Sequence, residues 1–219
     1  MTMSRRRFVA GAAGTGGSLA LAGCLGVLTG EKALRFEANA AVVPPSVRES
    51  AGYEEYRTTE PEVTREFTVA GQTREVTVKN VMAQYDRGVE LPVVGRARAA
   101  VFTVLSTPQV KVLGKTFNPV KDMSTDEIAE MVQQRYERVE NVRRADSRSV
   151  AILDTETTAV RYTGDATLAG GGASVEVYLT VTEPVADDDD FVLCFAGYPR
   201  ALDERETVTS LVNGVQHRP

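Results

Sequence analysis

The sequence has no tryptophan, only one histidine and only two cysteines among its 219 residues. The single histidine, His217, stands close to the end of the sequence. A Ser-His-Asp or Cys-His catalytic site would need this residue as its base. Zinc sites built from histidine and cysteine lack ligands for the same reason. We therefore predict an exposed tail histidine, no catalytic residues, no metal site and no cofactor.

The sequence also lacks a hydrophobic run long enough to cross a bilayer as a helix. Its weakly apolar stretch, residues 8–23, is shorter than the ~20 residues that a bilayer requires, and it contains five glycines. Just before Phe8 stand three arginines, Arg5, Arg6 and Arg7, a positive region that membrane insertion keeps on the cytoplasmic side. This arrangement predicts an export signal over residues 1–23. It resembles substrates of the twin-arginine pathway, which exports folded proteins.

The apolar stretch ends in Leu21, Ala22, Gly23 and Cys24. An aliphatic residue, two small residues and a cysteine match the attachment box of lipoproteins, in which the thiol accepts the lipid. The alternative is an ordinary cleaved signal with an incidental cysteine. We predict lipidation of Cys24, a short tether over residues 24–33 and a folded domain over residues 34–219. The lipid would hold this domain on the outer, extracytoplasmic face of the cell membrane.

Acidic residues outnumber basic ones, and lysine is scarce. The chain has 30 acidic and 25 basic residues, of which only five are lysines. Removal of residues 1–23 would take away three arginines and no acid, which makes the domain more negative still. Such a charge repels nucleic acid, so we predict no nucleic-acid partner. Acidic excess with few lysines resembles proteins of salt-loving archaea.

Cys194 is the only free thiol if Cys24 carries a lipid, and no intramolecular disulfide can then form. Residues 191–196 around Cys194 are all apolar, so a strand formed by them would have two apolar faces. This pattern predicts a buried and unreactive thiol. The fold must therefore be stabilised by burial and hydrogen bonds.

Strand patterns dominate the first half of the predicted domain. Residues 64–70 and 73–79 alternate around Gly71 and predict a hairpin. Residues 99–105 are continuously apolar and predict a strand that is buried on both faces. A short strand is predicted at 110–113. Residues 44–61 show no clear period, and we predict a short helix and a loop there.

Two amphipathic helices are predicted in the second half. Ser124 and Glu127 form a capping box before an apolar stripe at helical spacing: Ile128, Met131, Val132, Tyr136 and Val139. Asp203 and Glu206 are predicted to cap the other helix, whose stripe is Val208, Leu211, Val212 and Val215. Between the helices, four strands are predicted at 149–154, 159–167, 173–181 and 191–196.

A helix, an antiparallel meander and a closing helix predict an α+β fold, in which helices flank an antiparallel sheet. From Phe117 onward, this order of elements resembles the PsbP-like α/β/α sandwich, whose known members are mostly binding and assembly proteins. The N-terminal signal, Cys24-Leu25-Gly26 and Asn118-Pro119 resemble an uncharacterised haloarchaeal family of twin-arginine lipoproteins with a domain of unknown function.

Four consecutive aspartates, Asp187–Asp190, offer the hard oxygen ligands that calcium prefers. A calcium loop alternates its ligands and places a glycine at its sharp turn, and this segment does neither. We therefore predict a solvated turn between two strands.

These features predict a lipid-anchored extracytoplasmic lipoprotein that acts as a binding or interaction module and not as an enzyme. Its membrane contact would be the lipid on Cys24, and its protein or small-molecule partner stays open. Two alternatives remain. One is an extracellular enzyme that uses paired carboxylates, because their separation is spatial and not sequential. The other is a structural component of the envelope.

Overall fold

A computed structural model describes residues 34–69, 72–91, 95–112, 115–116, 119–135, 139–167 and 174–217. The described residues fall into two compact units, residues 34–35 with 64–77, and residues 36–63 with 78–217. Within these ranges, no helix has the length and apolar character needed to cross a membrane.

Strands dominate the described part of the chain. They are β1 Leu34–Glu37, β2 Ala41–Val42, β3 Glu54–Thr59, β4 Glu62–Val69, β5 Gln72–Lys79, β6 Val81–Leu91, β7 Gly95–Pro108, β8 Lys111–Val112, β9 Lys115–Thr116, β10 Val139–Ile152, β11 Thr155–Thr167, β12 Ser174–Thr182, β13 Val185–Asp187, β14 Asp190–Pro199 and β15 Gln216–His217. The helices are α1 Pro45–Ser50, α2 Thr125–Arg135 and α3 Arg205–Asn213, with a 3₁₀ turn at Pro119–Asp122.

The smaller unit is built on a three-stranded sheet in the order β1-β5-β4. Two pairs of threonine hydroxyls hydrogen-bond across β4 and β5, Thr64 with Thr77 and Thr68 with Thr73, each at 3.0 Å. Such cross-strand pairs stabilise a two-stranded contact. The predicted hairpin is confirmed, and its turn at 70–71 lies outside the described residues.

The larger unit is built on an antiparallel sheet in the order β10-β11-β12-β14-β7-β6-β3, with the short β13 paired to β14. β14 lies in the middle of this sheet. Its Val192 and Cys194 belong to one apolar core, and Leu193 packs in a second core. Alternate residues of a strand point to opposite faces, so β14 reads as a continuous apolar run because both of its faces are covered.

Each core receives residues from one of the longer helices. In the first core, Val208, Leu211 and Val212 of α3 join the buried residues of the sheet. In the second, α2 contributes Ile128 and Ala129. Met131 of the predicted α2 stripe is 43% exposed, so the helix buries a narrower face than its spacing predicts.

The two predicted helix caps have different outcomes. The capping box of α2 is confirmed, because the Ser124 amide donates to Glu127 Oε2 at 2.7 Å and the Glu127 amide donates to Ser124 Oγ at 3.2 Å. The cap predicted for α3 is wrong. Its N-cap residue is Glu204, which makes no capping hydrogen bond through its side chain, and Glu206 instead binds Arg148.

The predicted α+β class, with helices flanking the sheet as in a PsbP-like sandwich, is wrong. The fold is mostly β, with 64% strand and 17% helix. The helix predicted from Ser124 to Val139 ends at Arg135, and Val139 already begins β10. Residues 54–59 and 81–91, for which no strand is predicted, form β3 and β6. The three helices are too short to make a layer of their own against eight strands.

Candidate functional site

The residues of the predicted export signal and lipid box lie outside the described residues. These are Arg5, Arg6, Arg7, Phe8, Leu21, Ala22, Gly23 and Cys24. The described part of the chain instead brings together side chains that were not predicted to meet.

Cys194 matches its prediction. Its side chain is buried in the centre of the sheet, and its amide donates to the Thr182 hydroxyl at 2.9 Å. Burial raises the pKa of the Cys194 thiol well above its ordinary value, because a thiolate would lose its hydration there. The thiol therefore acts as a small apolar residue.

The turn from β13 into β14 is shaped by the aspartates themselves. Asp187 and Asp190 lie directly opposite each other in the hairpin, so their side chains share one face. Asp188 has a φ of 48°, a left-handed conformation that aspartate tolerates better than most residues. Gln109 holds the turn by donating to the carbonyl oxygens of Asp188 and Asp190 at 3.1 and 3.2 Å. The predicted turn is confirmed.

The prediction that all four aspartates are solvated is wrong, because Asp190 is only 1% exposed. Its Oδ2 accepts hydrogen bonds from the Asn39 amide at 2.8 Å and from Asn39 Nδ2 at 3.0 Å. Its Oδ1 is buried and has no hydrogen-bond partner among the described residues. Burial raises the pKa of Asp190 above its ordinary value, while the Asn39 bonds and the nearby His217 partly oppose this rise.

His217 is not the exposed tail residue that we predict from the sequence. It lies in β15, where it pairs with Ala41 of β2. Its Nδ1 is 3.1 Å from Asp187 Oδ2, and its side chain is 25% exposed. The other ring nitrogen, Nε2, is buried and has no hydrogen-bond partner in the described part of the chain.

Asp187, Asp188, Asp190 and His217 thus form one cluster, which we name the acid–histidine corner. Ligand atoms of Asp187, Asp188 and His217 all lie within 4.8 Å of one another. The corner presents carboxylate oxygens and an imidazole, and two of its polar atoms, Asp190 Oδ1 and His217 Nε2, are buried with no hydrogen-bond partner among the described residues. Buried polar atoms are seldom left in this state, which marks the corner as a candidate binding site.

A second polar cluster lies between α3 and the sheet. Asp146 of β10 accepts hydrogen bonds from Arg161 Nη2 at 2.5 Å and from Arg205 of α3. Burial opposes ionisation of Asp146, but the two arginines outweigh it and hold the pKa of this carboxyl below its ordinary value. The guanidinium of Arg161 also stacks 4.2 Å from the ring centre of Tyr178.

This arginine–tyrosine cluster fastens α3 to the sheet. Arg148 of β10 donates to Thr209 Oγ1 at 2.6 Å and to Glu206 Oε1 at 3.0 Å, both on the helix. The cavity between these side chains has a volume of about 20 Å³, which is room for about one water molecule. A space of this size cannot hold a small-molecule ligand, so we assign the cluster a structural role.

The burial of Asp190, its contact with Asn39 and the position of His217 on the domain were not predicted from the sequence. Asn39 and Asp190 are 151 residues apart in the chain, and the contact between them arises only when Asn39, just before β2, lies beside the first residue of β14. No spacing rule reports such a contact. The one available signal is the run of four aspartates, which is unusual for a two-residue hairpin turn.

The structure defines a mostly β domain with a candidate cation-binding corner. Residues 40–216 match the family described as "Domain of unknown function (DUF6517)", and the chain belongs to this family. The matched region contains the four aspartates of the turn and ends one residue before His217. No curated protein matches the chain.

Proposed function

We propose that this protein is a lipid-anchored binding module on the extracytoplasmic face of the cell membrane. The observation that carries the proposal is the order of motifs in the sequence: Arg5, Arg6 and Arg7, then a weakly apolar run, then the box that ends in Cys24. The family domain begins only at residue 40, so these motifs precede it. A short tether would keep the domain close to the membrane.

The acid–histidine corner supports a binding role for the domain. A buried oxygen or nitrogen atom without a hydrogen-bond partner destabilises a fold unless a ligand, ion or water binds it. In a purely structural domain, burial of Asp190 Oδ1 and His217 Nε2 without hydrogen-bond partners among the described residues would only lower the stability of the fold.

Mass spectrometry of the protein extracted from membranes tests the anchor. We expect the mature chain to begin at Cys24 and the Cys24-containing peptide to carry the additional mass of a lipid, because this thiol is the acceptor in the box. A mature protein that retains Met1, or one that begins at Cys24 with a free thiol, would contradict the proposal.

Replacement of Arg5, Arg6 and Arg7 by lysine tests the export route. The change keeps the positive charge but removes the planar guanidinium groups that distinguish arginine from lysine. We expect unprocessed protein to accumulate inside the cell, as measured by fractionation and immunoblotting. A single Arg5→Lys variant is the matched control, because Arg6 and Arg7 still form a pair. Normal export of the triple variant would indicate the general secretory route.

A further inference from the structure

We propose that the acid–histidine corner binds one divalent transition-metal ion of the zinc or manganese class. This inference deepens the binding role proposed above and rests on that role, but it does not depend on the lipid anchor. All of its residues lie within the larger described unit of the chain.

The first support is the spacing of the donor atoms. Bonds from zinc to oxygen or nitrogen ligands are about 2.0–2.2 Å long, so two ligands on opposite sides of one ion lie about 4.2 Å apart. The donor atoms of Asp187, Asp188 and His217 all lie within 4.8 Å of one another. Small movements of these side chains would bring the donor atoms to coordination distance.

The second support is independent of this spacing and comes from Asp190. This residue is 1% exposed, and its Oδ1 has no hydrogen-bond partner in the described part of the chain. Asp190 lies opposite Asp187 in the hairpin, so the two side chains are on the same face of the hairpin. His217 contacts Asp187 on that face. A cation held by Asp187, Asp188 and His217 would offset the negative charge of this buried carboxylate.

Hydrogen bonds from neighbouring residues would hold the aspartates in place. Asn39 fixes the other oxygen of Asp190 with two hydrogen bonds. Gln109 fixes the backbone of the turn that carries Asp187 and Asp188. Ligand carboxylates in metal sites are commonly oriented by such hydrogen bonds.

The mixture of donors indicates the class of metal. Calcium and magnesium prefer oxygen ligands alone, whereas an imidazole suits zinc and other transition metals, and carboxylates also suit manganese. Two carboxylates with one imidazole therefore favour zinc or manganese over calcium. The absence of a calcium loop in the sequence agrees with this choice.

Bound metal would join distant parts of the domain. His217 belongs to β15 near the end of the family domain, and Asp187 and Asp188 belong to the β13–β14 hairpin. Because β15 has only two residues and pairs only with β2 among the described strands, a metal bridge would be its strongest tie to the hairpin.

Titration calorimetry on the metal-free, full-length chain in detergent tests the inference, with ZnCl₂ and MnCl₂ as probes and CaCl₂ as the contrast. We expect one zinc or manganese ion per chain. His217→Ala and Asp188→Asn should each weaken binding by at least about tenfold, since each removes a ligand. Asp189→Asn is the matched control, because Asp189 lies in the same turn with its side chain 87% exposed and pairs with Lys111.

The set of variants keeps the test independent of folding. Asp188 is exposed, so Asp188→Asn should fold normally even if His217→Ala loosens β15, and circular dichroism would show this. The control variant should bind metal like the unchanged chain. Failure of both probes to bind stoichiometrically would overturn the inference, as would equal affinity in the His217→Ala and unchanged chains. Calcium binding as tight as that of zinc and manganese would overturn the choice of metal. Each of these results leaves the lipid anchor untouched.

Discussion

Leu211→Ala is expected to lower the free energy of unfolding by about 2–5 kcal/mol, the usual cost of removing a buried leucine side chain and leaving a cavity. Leu211 lies in the middle of α3, is 0% exposed and packs in the first core of the sheet. The neighbouring network of Arg148, Thr209 and Glu206 fastens the same helix to β10, so α3 has little freedom to collapse into the cavity.

Ser210→Ala is the matched control for this prediction, because Ser210 is the preceding residue of α3 and is exposed. Its side chain should contribute well under about 1 kcal/mol, as most surface changes do. Chemical denaturation in high salt compares the two variants under one condition. Small and equal effects would mean that α3 is a detachable tail, which contradicts its assignment to the core.

The elements predicted from the sequence are those in which the buried apolar residues recur at a regular spacing or form a continuous run. β11, β12 and β14 overlap predicted strands, because their apolar residues either alternate or form a continuous run. The buried face of α3 was predicted correctly at Val208, Leu211 and Val212. The start of α2 was predicted from its capping box, which needs only two residues at a fixed spacing.

The strands that were missed bury polar residues or contain irregular pairing. In β6, the buried Gln84 accepts a hydrogen bond from Arg57 and the buried Asp86 forms an ion pair with Arg98, so the strand lacks an apolar alternation. Only the end of β10 was predicted, by the strand at 149–154. In the rest of β10, the register shifts near Glu140 and again near Arg144, and each shift resets which residues face the core. The α+β class was predicted because β3, β6 and most of β10 were not recognised as strands.

The acid–histidine corner could not be predicted, because its parts meet only in the tertiary structure. The interpretation of His217 as a tail residue used its place in the sequence, whereas pairing of β15 with β2 brings it back onto the domain. The interpretation of the four aspartates as solvated used their charge. Charge patterning alone does not reveal that Asp190 lies at the end of a central strand and is covered by Asn39.

The central claim is that a lipid on Cys24 holds the domain at the membrane, and Cys24→Ser tests it most directly. Serine has nearly the same size but lacks the thiol that we propose accepts the lipid, and residue 24 precedes the family domain that begins at residue 40. We therefore expect the variant to fold normally but to leave the membrane fraction almost completely. Cys194→Ser is the matched control, because that thiol is buried in the sheet and should have no part in anchoring.

The measurement is the share of protein that stays with the membranes after a high-salt wash, determined by fractionation and immunoblotting. If a lipid on Cys24 is the anchor, the unchanged chain and the Cys194→Ser variant stay in the membrane fraction, whereas Cys24→Ser is found in the soluble fraction. Retention of Cys24→Ser on washed membranes would contradict the account, since another part of the protein would then hold it there.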